Sequence, residues 1–318
     1  MTRVAVIGHV REEAISLLRA RPEIRIDAAP DGPADGFRDI VATADAILLR
    51  TSRLDRELIA TAPALKVVSR HGVGFDNVDV AALNERRIPL CVAATANNIS
   101  VAEHAIFMML ELAKAGRAHD AAVRDNRWSI RLETRAIELF GARLLIVGLG
   151  RIGKAVASRA AAFGMDVTAI DPYIDDAVFA GAGCARVTDI AAALAGADFV
   201  SLHVPLDDTT RNMIDRNALA SMKSGAILVN TARGGLIDEK ALAEALATGG
   251  IRAAGLDVFE AEPPPASHPL FGQDNVLLSP HSAGVTEQSM LRMGTEAAQN
   301  ILDVLDGRPD PSVIVNGL

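Results

Sequence analysis

The segment Gly148-Leu149-Gly150-Arg151-Ile152-Gly153 is a G-x-G-x-x-G run that directly follows an apolar, β-branched stretch and opens a helical pattern reaching about residue 163. Each glycine has its own task in such a run. Gly148 permits the tight turn, Gly150 lets a pyrophosphate approach backbone N–H groups, and Gly153 permits close helix–strand contact. Asp171 stands 18 residues after Gly153, at the end of the next apolar run. A carboxylate there accepts hydrogen bonds from the ribose hydroxyls of an adenosine and repels a 2′-phosphate. Neither Pro172 nor Tyr173 offers a compensating cation, so the expected cofactor is NAD rather than NADP. The earlier turn Gly8-His9-Val10 lacks the later glycines and reads as a plain βα turn.

Ionisable residues recur at the ends of the later apolar runs. They are Arg233 in Thr231-Ala232-Arg233-Gly234-Gly235, Asp257, Glu262 in Glu260-Ala261-Glu262-Pro263, and His281 in Ser279-Pro280-His281-Ser282-Ala283-Gly284. Open parallel sheets bind ligands at that edge, so all four are expected to face the nicotinamide side of one cleft. Hydride transfer to a 2-oxo acid needs a cation to hold the carboxylate and polarise the carbonyl. It also needs a proton donor for the developing alkoxide and a group that keeps this donor protonated. Arginine meets the first need through its bidentate fork, histidine the second through a pKa near neutrality, and a neighbouring carboxylate the third. Arg233, His281 and Glu262 fit these roles, although Glu260 competes with Glu262 at this point. Asp257 is expected as a supporting or cofactor contact.

The elements that must position these residues alternate along the chain. Short apolar runs at 4–7, 46–49, 66–68 and 89–92 read as strands, and 12–20, 56–62 and 80–85 as helices, with a Pro/Gly/Asp-rich loop over 28–36. Residues 101–117 form a long uninterrupted helical pattern, followed by an Arg-rich segment, 124–135, that contains the only tryptophan, Trp128. A second series of strands follows at 143–147, 167–170, 199–202, 226–230, 253–256 and 276–279, and a last helix at 287–305. This alternation predicts an α/β fold with parallel sheets covered by helices. A chain of 318 residues suits two domains of about 150 residues each, and the last helix is expected to return to the first, making it discontinuous.

Composition narrows the partners. Half the residues are hydrophobic and 23% are charged, which predicts a packed globule and excludes intrinsic disorder. The net charge of −8, without a basic cluster longer than Arg86-Arg87, disfavours nucleic acid and anionic membranes as partners. Two distant cysteines, Cys91 and Cys184, without a second ligand at metal spacing, predict neither a disulfide framework nor a metal site. The first residues read as a strand and not as a signal peptide, and no run reaches the 18 apolar residues of a membrane span, so a soluble cytoplasmic protein is expected.

Taken together, these segments resemble the D-isomer-specific 2-hydroxyacid dehydrogenases over nearly the full length. The resemblance is carried by 70–79, Ser100-Val101-Ala102-Glu103-His104, 148–153, His203-Val204-Pro205-Leu206, 229–235, 255–263 and 279–284. It implies a Rossmann-like cofactor domain of residues 99–284 inserted into a discontinuous, flavodoxin-like substrate domain of residues 1–98 and 285–318, with hinges near Asn98 and Gly284. It favours Glu262 over Glu260 as the catalytic acid, because the family's glutamate directly precedes the proline. It implies NAD contacts from Arg151, Ile152, Asp171, Thr231, Asp257 and Gly284, and a substrate carboxylate bound by the backbone of Gly72-Val73-Gly74. It also implies a homodimer joined by the helix after Ser100 and the segment near Trp128.

The formate dehydrogenase branch carries Gln where this chain has Glu262, which argues against that branch. Arg50 and Arg70 match positions that help bind the substrate phosphate in phosphoglycerate dehydrogenases; surface ion pairs are the equal alternative. The expected activity is reduction or oxidation of a small 2-oxo/2-hydroxy acid such as glyoxylate or hydroxypyruvate, with D-3-phosphoglycerate as the alternative substrate. The regulatory module of longer phosphoglycerate dehydrogenases is not expected after Leu318. A non-catalytic, NADH-sensing protein of the corepressor type is the reading from a different class; the intact Arg/Glu/His set disfavours it.

Overall fold

The computed structural model describes residues Met1–Leu318, which divide into two compact units, Met1–Asn97 with Val285–Leu318, and Asn98–Gly284. In the first, strands β1 (Thr2–Ile7), β2 (Ile24–Ala29), β3 (Ala46–Leu49), β4 (Val67–Arg70) and β5 (Leu90–Val92) form one sheet in the order β2-β1-β3-β4-β5, with every pairing parallel. The central strands β3 and β4 are buried along their whole length, as expected for β-branched and leucine-rich runs covered on both faces. Ile7 pairs with Leu49, Leu49 with Arg70, and Arg70 with Val92, so Gly8, Arg50 and His71 follow the sheet at one edge.

The last helix, Glu287–Leu305, opens with a reciprocal capping box between Thr286 and Ser289. Its buried stripe, Ala297, Ala298, Ile301 and Leu302, packs with Val4, Val6, Ala14, Ile15 and Leu18 in the core of this unit. Each such aliphatic side chain removed from water contributes roughly 1.5–3 kcal/mol for the larger ones. The tail is also sewn in by polar bonds. Asn300 donates to the Val92 carbonyl at 3.1 Å, and Asn316 accepts the Leu90 N–H at 2.8 Å.

In the second unit, β6 (Arg143–Val147), β7 (Asp166–Ile170), β8 (Ala185–Arg186), β9 (Phe199–Leu202), β10 (Ile227–Asn230), β11 (Ala253–Leu256) and β12 (Val276–Leu278) form a parallel sheet in the order β12-β11-β10-β9-β6-β7-β8. β6 pairs with β7 on one side and with β9 on the other, so the strand order reverses there and a crevice opens at the carboxyl ends. Val147 pairs with both Ile170 and Leu202, Asn230 with Leu202 and Leu256, and Leu256 with Leu278. This register sets Gly148, Asp171, His203, Thr231, Asp257 and Ser279 in one row.

Some expected elements are corrected. β2 is not among the expected strands, and its last two residues, Ala28 and Ala29, fall in the expected loop. It is a partly buried edge strand in which Arg25 and Asp27 alternate with Ile24 and Ile26, so no continuous apolar run marks it, although both isoleucines pack against the core. The two-residue strand β8 is exposed and was equally silent. The expected uninterrupted helix over 101–117 instead ends as Asn98–Lys114, Ala115 adopts a left-handed φ of +53°, and a second helix, Gly116–Arg124, follows. The reason is local: Glu111 Oε1 accepts the Arg117 N–H at 2.7 Å and so satisfies the start of the second helix. No helix is long and apolar enough to cross a membrane.

Candidate active site

The glycine-rich loop joins β6 to helix Arg151–Ala162, whose N-cap residue, Gly150, has no side chain to cap it. The backbone N–H groups of such a first turn are the donors that bind an anion. A Cβ on Gly153 would lie 2.1 Å from the Gly148 carbonyl oxygen, and one on Gly148, at φ +92°, would lie 2.6 Å from the His203 carbonyl oxygen. At Gly150 a Cβ would meet nothing within 4 Å, so the loop is closed against the protein on two sides and open on the third. The Asp171 carboxylate accepts the Leu149 N–H and the Tyr173 N–H, each at 3.0 Å, which fixes it beside the glycine turn. Farther along the row, Thr231 Oγ1 and His203 Nδ1 are buried without hydrogen-bond partners. Burial pushes the His203 imidazole down to about 4, so it is neutral, and its Nε2 lies 2.8 Å from Ser201 Oγ. An open glycine cradle, an uncapped helix end, a fixed carboxylate and unpartnered polar atoms along one edge fit a dinucleotide.

Across the same sheet, His281 Nδ1 lies 2.7 Å from Glu262 Oε2. The other Glu262 oxygen accepts the Phe259 N–H at 3.0 Å. The hydrogen bond to Glu262 raises the His281 pKa above its ordinary value; partial burial opposes it, and the charges of Glu262 and Asp257 add to it. Burial alone would raise the Glu262 carboxyl, but the bonds from His281 and Phe259 N–H outweigh it and hold the group below the usual carboxylate range. Each partner thus favours the charged form of the other. The Arg233 charge acts on both, lowering the pKa of each, which places the guanidinium in the same electrostatic neighbourhood. Arg233 Nη1 donates to the Ala232 carbonyl at 2.7 Å. His281 itself has φ +52°, a left-handed conformation that a non-glycine residue keeps only when its surroundings impose it.

Those surroundings are two clamps. Asp257, expected among the cofactor contacts, is only 1% exposed, and its carboxylate is turned into the loop that carries His281. It accepts the Ser279 hydroxyl at 2.5 Å, the Ser282 N–H at 2.8 Å and the Ala283 N–H at 2.9 Å, while its own carbonyl accepts the His281 N–H at 2.7 Å. The loop that carries Glu262 rests on Gly234, where a Cβ would lie 1.9 Å from the Phe259 carbonyl carbon. That loop is further held by Glu239, which accepts the Glu260 N–H at 2.8 Å and pairs with the buried His268 at 2.9 Å. Glu260, the competitor of Glu262, faces outward to Arg211 at 3.6 Å. A concavity of about 440 Å³ beside Glu262 and His281 is lined by Phe259, Pro263, Phe271 and Pro280 among others.

The remaining expected residues, Arg50, Arg70, Val73 and Gly74, lie in the first unit. Arg70 is buried and braces the loop after β4, donating to the Gly74 carbonyl at 2.9 Å and the Leu49 carbonyl at 2.8 Å. Arg50 approaches Asp31 at 3.4 Å, and Asp31 in turn accepts the Thr51 and Ser52 N–H groups. Among the supporting residues, the sequence alone assigns no role to His203, Ser279 or Glu239, and Gly234, expected to leave room for the Arg233 guanidinium, lies against the backbone of Phe259. The only available signal was that His203 and Ser279 directly follow strands or lie within matched segments. Cys91 and Cys184 are buried and unpaired, and no group of three or more His, Cys, Asp or Glu is arranged to hold a metal.

Fold and site together define an α/β protein with a glycine-rich loop and a His281–Glu262 pair at the carboxyl edge of its second sheet. The chain belongs to the D-isomer specific 2-hydroxyacid dehydrogenase family, whose NAD binding domain matches residues 106–283. It is 42% identical over 315 residues to a D-3-phosphoglycerate dehydrogenase of Methanocaldococcus jannaschii, covering 99% of this chain but 59% of that protein. It is 35% identical over 306 residues to a hydroxypyruvate reductase of Thermotoga maritima, covering 95% of this chain and 98% of that one. The fold is similar to a D-lactate dehydrogenase from Aquifex aeolicus solved with NAD and lactic acid, with a TM-score of 0.84, 29% identity and 96% of each chain covered. This chain thus spans little more than half the length of the phosphoglycerate dehydrogenases it matches.

Proposed function

We propose that the protein is an NAD-dependent D-2-hydroxyacid dehydrogenase acting reversibly on a small 2-hydroxy/2-oxo acid. The observation that carries this reading is the 2.7 Å contact between His281 and Glu262, under the influence of Arg233, on the sheet edge that also bears the glycine cradle. Gly148, Gly150, Arg151, Ile152, Gly153, Asp171, Thr231 and Gly284 would hold the dinucleotide, with Asp257 supporting them. When bound, NADH supplies the hydride. Arg233 binds the substrate carboxylate and polarises the adjacent carbonyl, as its planar fork suits. His281 hands the proton on its free Nε2 to the developing alkoxide, and Glu262 accepts from Nδ1, holding the ring in one orientation and favouring its charged form. In the oxidative direction the same nitrogen takes the hydroxyl proton. Proposed substrate contacts in the first unit are the backbone of Val73 and Gly74 with Arg50 and Arg70.

Two substrate readings have support. The hydroxypyruvate reductase relative, matched over nearly its whole length, favours an unphosphorylated acid such as hydroxypyruvate or glyoxylate. The D-3-phosphoglycerate dehydrogenase relatives, with Arg50 and Arg70 in place, favour the phosphorylated one. A phosphate at Arg50 would have to compete with Asp31, and Arg70 already serves two backbone carbonyls, which weighs toward the first. NADH oxidation measured with glyoxylate, hydroxypyruvate, pyruvate, a bulkier 2-oxo acid and 3-phosphohydroxypyruvate decides between them. Turnover of none of these would reject the dehydrogenase reading and favour an NADH-binding protein of the non-catalytic kind. A cytoplasmic homodimer completes the proposal. Trp128, Leu132 and Phe140, exposed by 63%, 83% and 77%, are apolar side chains that a second copy would cover, and a reaction drawing on NADH suits the cytoplasm.

A further inference from the structure

Helix Asn98–Lys114 carries His104 to the end of β12, where its Nε2 lies 3.0 Å from Ser279 Oγ. That hydroxyl is in turn 2.5 Å from Asp257 Oδ1, while His104 Nε2 is 3.9 Å from the same oxygen and makes no direct bond to it. A serine hydroxyl has one proton, and a carboxylate that already accepts two backbone N–H groups has none to return. The Ser279 proton therefore goes to Asp257, and His104 must carry its proton on Nε2 and donate it to Ser279 Oγ. The imidazole is half-buried. Burial lowers its pKa against the opposing influence of Asp257, so the ring is a neutral donor.

The chain of bonds His104 Nε2–H to Ser279, Ser279 O–H to Asp257, and Asp257 to the Ser282 and Ala283 N–H groups ends on the residues that flank His281. A hydroxyl that already receives a hydrogen bond donates a stronger one, and a donor fixed on a 17-residue helix also removes the freedom of the Ser279 rotor. We propose that His104 is a positioning residue for His281: acting through Ser279, it fixes the Asp257 carboxylate that holds loop 279–283 in the conformation presenting the imidazole. Nothing in this chain of bonds needs the substrate or the cofactor. The inference rests on the proposed dehydrogenase reading only for its kinetic consequence.

The test compares the full-length wild type with His104→Leu, which removes the donor, and His104→Gln, whose amide nitrogen returns one near the Nε2 position. Amide hydrogen exchange is followed without ligand. The Ser282 and Ala283 amides should exchange about tenfold faster in His104→Leu, with amides of β6 unchanged, and His104→Gln should recover the slower exchange. In turnover, kcat should fall about tenfold to a hundredfold in His104→Leu with a smaller change in KM for NADH, because the loop that loosens carries the proton donor and borders the dinucleotide only at Gly284. Ser279→Ala breaks the same chain one bond later and should loosen the same two amides, which keeps the test open if His104→Leu does not fold. Unchanged exchange at Ser282 and Ala283 in both broken-chain variants overturns the proposal. Faster exchange in a protein that turns over no 2-oxo acid upholds the positioning role and rejects the dehydrogenase reading instead.

Discussion

His281 and Glu262 are separated by a strand and two loops, yet Nδ1 of one and Oε2 of the other lie 2.7 Å apart, and each shifts the other toward its charged form. The imidazolium therefore persists to higher pH than an ordinary histidine would allow. The sign follows for activity. Reduction consumes the His281 proton, so its rate is full below the raised pKa and falls as pH rises through it; oxidation needs the neutral ring and runs the other way. In Glu262→Gln the hydrogen bond to a carboxylate and its charge are gone, so the falling limb of the reductive profile should move to lower pH. In His281→Ala, kcat should drop by roughly two to four orders of magnitude. Paired pH–rate profiles check both, and a limb that stays in place in Glu262→Gln would remove the dyad from the mechanism.

Arg233→Ala should raise KM for the 2-oxo acid and lower kcat/KM by about a hundredfold or more, since a charged hydrogen-bonding partner of the substrate is lost. NADH affinity, read by fluorescence titration, should stay close to wild type. Equal kinetics in the variant would exclude the guanidinium from substrate binding.

The glycines of the site separate packing from ligand approach. Gly150→Ala places its Cβ in open space, so the protein should fold with an unchanged Tm and yet bind NADH more weakly. Gly153→Ala and Gly234→Ala each drive a Cβ into backbone, at 2.1 Å and 1.9 Å, and should cost about 1–3 kcal/mol or more. Thermal melts and NADH titrations of the three variants check this. Undiminished NADH affinity in Gly150→Ala would show that no pyrophosphate approaches there.

Asp171→Ala removes the carboxylate that faces a 2′-phosphate and also the acceptor for the Leu149 and Tyr173 N–H groups. The ratio of kcat/KM for NADH over NADPH should fall by at least about tenfold, mainly through a poorer KM for NADH. An unaltered ratio would count against a ribose contact.

Much of the site was legible from residue types and spacing. The strand before Gly148, the helix after it and Asp171 18 residues on form a local pattern, and local patterns survive in a sequence because turn chemistry and period act over a few residues. Strands buried on both faces, such as β3, β4, β9 and β10, announce themselves as apolar runs for the same reason. β2 did not, because Arg25 and Asp27 interrupt Ile24 and Ile26 and leave no continuous apolar run. The break at Ala115 did not either, because it depends on where the Glu111 side chain turns.

By itself the sequence determined that the chain is α/β, that a glycine loop follows one strand, and that Arg233, Glu262 and His281 each follow a strand at the same edge. The family resemblance favoured Glu262 over Glu260, but only the tertiary structure shows the contact itself: Glu262 turns inward to His281 and Glu260 outward to Arg211. It also decided that Asp257 is a buried clamp on loop 279–283, fastened through Ser279 to His104. The physical reason is that a hydrogen bond is set by a few tenths of an ångström and one direction. Those are fixed by the packing of helix Asn98–Lys114 against β11 and β12, which brings together His104 and Ser279 from 175 positions apart in the chain, and no spacing along the sequence records it.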